Sequence, residues 1–103
     1  MKIEELRVGS WVEHDGIKTQ IKGIVSNPEY IILHGIVVMP ADLKPIQYAP
    51  LWGQKLVPRH LTVMSEMDAL KERRTFLVLE SGHKMYFKYV HELQNILISI
   101  THQ

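Results

Sequence analysis

Residues 88–95 read Lys-Tyr-Val-His-Glu-Leu-Gln-Asn. His91-Glu92 followed by Asn95 is one residue short of His-Glu-x-x-His, in which two histidines one helical turn apart ligate zinc and the glutamate activates water. Asn95 is a poor zinc ligand. On a straight helix His102 lies about three turns from His91, so it cannot complete the same site. A metal site would therefore need His34, His60 or His83 brought in by folding. The simpler expectation is a helix start: Glu92 suits the positive end of the helix dipole, and His91 and Asn95 form a polar face pointing away from the core. The other histidines are scattered, without ligand spacing, so no metal and no cofactor are expected.

Other catalytic signatures are missing. The six glycines are isolated, so there is no phosphate-binding loop, and no serine sits in a Gly-x-Ser-x-Gly elbow. Without cysteine there are no disulfides, thiolate metal sites or thiol nucleophiles. Nothing here argues for an enzyme. The remaining candidates are binding residues. Tyr48 and Trp52 lie near the basic residues Arg59, His60, Arg73 and Arg74, with Lys55, Lys71, Lys84 and Lys88 in addition. Aromatics beside cations can stack and hold single-stranded nucleic acid. Against that stands a net charge of only +1, from 12 basic and 11 acidic residues. The leading expectation is a non-enzymatic module that binds protein or peptide, with His91–Asn95 as a further candidate face. A nucleic-acid-associated role is the alternative, and a homodimer is allowed.

The elements that must position these residues come from pattern. At 103 residues and 46% hydrophobic, the chain suits one small domain with a modest core. The first 47 residues read as short strands: Trp11–His14, the alternating run 17–25, and apolar runs on either side of Gly35. Asp15-Gly16 is a hairpin signal because both positions tolerate positive φ. Residues 26–29 make a second turn around Pro28, Gly23 marks a bulge or bend, and residues 41–43 form one tight turn. Five short strands in so little chain predict an SH3-like β-barrel lobe. Residues 48–60 read as an ordered connection, anchored by Tyr48, Leu51, Trp52, Leu56 and Val57. Residues 65–74 are either a short helix, with Ser65 and Asp68 as a capping box and Met67 and Leu70 as its apolar side, or a long hairpin loop. Runs at 75–80 and 84–90, joined by Ser81-Gly82-His83, predict a hairpin. Tyr89, Val90, Leu93, Ile96, Leu97 and Ile100 then share one helical arc, so an amphipathic helix is predicted over about 89–101. His91, Glu92, Asn95, Ser99 and His102 take the other side. The fold class is thus α+β, with the barrel lobe followed by a β-hairpin and one C-terminal helix.

Three stretches also resemble a family of small bacterial proteins associated with prophages and mobile elements: Met1–Val12, Asp42–Ile46 and Tyr89–Asn95. The resemblance implies such an origin and carries no activity. The charged start shows no secretory pattern, and no apolar run approaches the ~18 residues of a membrane helix. A cytoplasmic protein without membrane partners is expected.

Overall fold

The structure is a computed structural model and describes residues 1–101. It is α+β, with eight strands in three small sheets and two α-helices. The chain divides into two compact units, Met1–Ile46 and the remainder from Gln47.

In the first unit, β1 (Trp11–His14) and β2 (Ile17–Gln20) pair antiparallel. Their connection is Asp15-Gly16, with φ of 50° and 78°, which gives the two-residue hairpin its sequence signals. The run 17–25 is not one strand. Ile21 is fully buried where the chain leaves β2, and β3 (Gly23–Ser26) opens a second sheet with β4 (Glu29–Ile32) and β5 (Val37–Val38). Asn27-Pro28 makes the turn between β3 and β4. Gly23 is an ordinary strand position rather than a bulge. It pairs with Ile32, and a Cβ there would lie 3.1 Å from Ile32 Cδ1, so the missing side chain makes room for the isoleucine. After β5, a 3₁₀ turn at Pro40–Asp42 leads to Lys44, which bridges back to Glu13 of β1. Leu6, Val12, Ile21, Ile31, Leu33 and Leu43 form the core, with Ile24 and Val38 packed against it. Among the described residues these strands form two separate sheets, not a closed barrel.

In the second unit, α1 (Pro50–Leu56), a helix the sequence pattern did not predict, occupies most of residues 48–60. Pro50 stands at its start, where its missing N–H costs nothing. Leu51 is 73% exposed and anchors nothing, whereas Tyr48 and Val57 do pack on the core. A third sheet follows, in the order β6 (Thr62–Met67), β7 (Arg73–Val78), β8 (Lys84–Phe87).

Residues 65–74 are a hairpin, not a helix. Asp68 accepts N–H groups as a cap would, from Leu70 and Glu72 at 2.9 Å each. Those bonds close a tight loop instead, with Lys71 at φ 61°. β6 and β7 then zip in register from Met67↔Arg73 to Thr62↔Val78, and this long-range pairing overrides the local helical signal. Met67 and Leu70 are exposed rather than core. Ser81-Gly82-His83 joins β7 to β8 as expected, with Gly82 at φ 86°. The final helix, α2 (Val90–Thr101), lays Leu93, Ile96, Leu97 and Ile100 on a cluster with Leu61, Leu77 and Phe87. No helix of the described residues is long and apolar enough to cross a membrane.

Candidate functional site

The His91–Asn95 segment is structural at its first turn. Glu92 Oε1 accepts the backbone N–H groups of Lys88 (3.0 Å) and Tyr89 (2.9 Å), donors that the start of α2 would otherwise leave unsatisfied. His91 corrects the expectation of an outward face. It is 2% exposed, with its ring stacked on Tyr89 at 5.9 Å and 11°. Asn95 is half-buried, with its Oδ1 sealed from solvent. The first turn of α2 is enclosed on several sides, since Val90, His91 and Leu93 are all buried, and a single helical stripe underestimates that. His102 lies outside the described residues. Among the described residues no three His, Asp or Glu side chains come together as a metal site.

Two surfaces remain. The first is an open groove of ≈ 570 Å³ in the second unit. It gathers the expected Tyr48, Arg73 and Arg74 with Thr75, Tyr86 and Lys88. Tyr48 stands edge-on to Phe87 at 5.0 Å, and burial raises its phenol pKa. Gly53 of α1 allows this, because a Cβ there would strike the Tyr48 hydroxyl. The other expected residues lie elsewhere. Trp52 sits on α1 beneath Lys55, whose Nζ is 5.4 Å from the ring, and Arg59 and His60 are exposed in the connection to β6. Tyr86 was missed by sequence reasoning, although alternation along 84–87 sets Lys84 and Tyr86 on one face of β8.

On that outer face each aromatic ring lies under a cation. Arg74 sits over Tyr86 at 5.4 Å and Lys84 over Phe76 at 4.8 Å. The Tyr86 hydroxyl donates to Glu66 at 2.8 Å, which Lys84 also approaches at 3.6 Å. The bond to Glu66 raises the Tyr86 pKa above its ordinary value.

The second surface is the outer face of β3–β4–β5. The register places Ile24, Ile31 and Val38 on the core side. Val25, Tyr30, Ile32 and Val37 therefore share the opposite side with Gly23. All four are exposed, by 38% to 61%, and no charged residue shares their face. Ile36 and Met39, next to β5, are exposed as well. Sequence reasoning missed this surface, although its signal was there: strands with apolar residues at both alternations have only one face to bury in a small unit.

No family model, curated protein or solved structure matches the chain.

Proposed function

We propose that the chain is a non-enzymatic interaction module, and that its first unit docks a protein partner on the outer face of β3–β4–β5. One observation carries the reading: four exposed apolar side chains lie side by side on a sheet whose other face already supplies the core. Such a face left in water is the usual mark of a protein contact. Its chemistry selects the partner class. It offers no cation to a phosphate and none of its residues lines the groove of the second unit, so a protein segment with its own apolar side chains fits best. An SH3-like arrangement of this unit belongs to the same proposal. It is supported by the five short strands, the 3₁₀ turn after β5 and the return of Lys44 to β1.

The test is peptide selection on the immobilised chain, followed by titration of the enriched peptides against wild type and Val37→Glu. Apolar peptides are expected, binding the variant at least tenfold more weakly, with its melting temperature unchanged. Absence of enrichment, or equal binding to the variant, overturns the proposal. So does a single-stranded oligonucleotide whose binding is lost in Val37→Glu.

A further inference from the structure

β6 is an end strand of its sheet, paired with β7 on one side only. The turn that follows it fixes which backbone groups are left over. Asp68 N–H donates to Glu72 O at 3.0 Å. Hydrogen-bonded pairs alternate along an antiparallel ladder, so the bonded partners are Glu66↔Arg74, Met64↔Phe76 and Thr62↔Val78. The other hairpin agrees: Leu79 N–H donates to His83 O at 2.9 Å, which turns Leu77 and Thr75 toward β8 and leaves Phe76 and Arg74 to β6. The N–H and C=O groups of Val63, Ser65 and Met67 therefore point away from the sheet. Among the described residues none of them bonds to the backbone of another segment.

An edge strand is ordinarily blunted by brevity, lysine, proline or a bulge. β6 runs unbroken for six residues and has none of these. Its one charge, Glu66, is held within the chain by the Tyr86 hydroxyl and Lys84. Ser65 is exposed, and so are Met64 by 52% and Met67 by 61%, so no other element covers this edge. Beyond the far edge, by contrast, Tyr48 N–H donates to Lys88 O and Gln47 bridges to Tyr89.

We propose that this edge pairs with β6 of a second copy of the chain, antiparallel, about a two-fold axis at Ser65. The strand is complementary to itself in that register. Val63 meets Met67 of the second copy, Ser65 meets Ser65, and Met67 meets Val63, and each pair exchanges two main-chain bonds. Every outward N–H and C=O is then used. Moving the axis by one residue pairs only Val63 with Ser65 or only Ser65 with Met67. The exposed Met67 gains an apolar neighbour in Val63, which already packs on the second core. Like charges do not meet, since Glu66 falls opposite Met64 and Asp68 opposite Thr62. Few side chains join the contact, so the dimer is weak and reversible. This edge is separate from the apolar face of the first unit.

Sedimentation equilibrium of the full chain over a concentration series tests it, with circular dichroism to check folding. Wild type is expected to dimerise reversibly. Ser65→Lys sets two cations face to face and should weaken the dimer at least tenfold at low salt, as should Ser65→Glu alone. An equimolar mixture of the two variants should restore it, and Val37→Glu should leave it intact. The chain has no cysteine, so Ser65→Cys carries a single thiol, with its copies about 5.5 Å apart and within disulfide reach. It should cross-link at least tenfold faster than Thr62→Cys, whose copies stand about 20 Å apart in this register. If Ser65→Lys does not fold, the cross-linking comparison decides. A wild type that stays monomeric overturns the proposal. So does a dimer unchanged in folded Ser65→Lys, one lost in Val37→Glu, or equal cross-linking of the two cysteine variants.

Discussion

Both units contain a three-stranded antiparallel sheet in up-and-down order, and each buries one face on its own core. Their outer faces differ. On β3–β4–β5 it is Val25, Tyr30, Ile32 and Val37, with no charge among them. On β6–β7–β8 it is Phe76 and Tyr86 lying under Lys84 and Arg74, with Glu66 binding Tyr86 and Lys84. The second face shields its aromatic surface with long charged side chains, which cover apolar area while keeping their heads in water. The first face has no such cover. The shorter length of β3, β4 and β5 does not explain this, because polar residues at four positions would have sufficed. The difference therefore points to contact in the first case and self-sufficiency in the second.

The comparison is broken most directly by two neighbouring residues. Ile31 and Ile32 are chemically identical, but Ile31 is fully buried and Ile32 is on the outer face. Ile31→Asp should lose about 4 kcal/mol or more, because it buries an unpaired charge. Ile32→Asp should lose less than about 1 kcal/mol, because its carboxylate stays in water. Urea denaturation measures both, and similar losses would show that the outer face is not open to solvent.

A smaller effect is expected where the second unit uses its acid for structure. Glu92→Ala should cost about 1 kcal/mol by removing the acceptor at the start of α2, and Glu92→Gln should keep most of that. Circular dichroism during thermal melting separates the two. An Ala variant as stable as wild type would free Glu92 to act as a groove carboxylate.

The smallest effect concerns the Tyr86–Glu66 bond. Its folded pKa is raised, so the protonated phenol is favoured in the native state. The stability it adds is complete below the ordinary tyrosine pKa of about 10 and is lost as pH rises through the folded value. Tyr86→Phe should lower stability slightly at neutral pH and flatten this alkaline dependence. Melting curves from pH 8 upward test it, and parallel curves for both proteins would remove Tyr86 from the shielding network.

Much of the fold was legible in sequence because its signals are local. Asp15-Gly16 and Ser81-Gly82-His83 declare hairpins through residues that accept positive φ. The 3.6-residue period of Leu93, Ile96, Leu97 and Ile100 declares α2. α1 was hidden because prolines and a glycine read as interruptions, although Pro50 is a helix starter. Of the groove, Tyr48, Arg73 and Arg74 were visible as residue types, but their meeting with Tyr86 and Lys88 depends on strand register.

By itself, then, the sequence determined the α+β class, the two hairpin turns, the amphipathic final helix and the exclusion of cysteine chemistry. Each follows from covalent identity or from contacts within a few residues. Tertiary structure alone decided that residues 65–74 pair as strands, that His91 is buried, and which of two apolar alternations in β3–β4–β5 faces water. These depend on which distant segments meet. A strand's period of two defines two faces but cannot say which one the rest of the chain will cover.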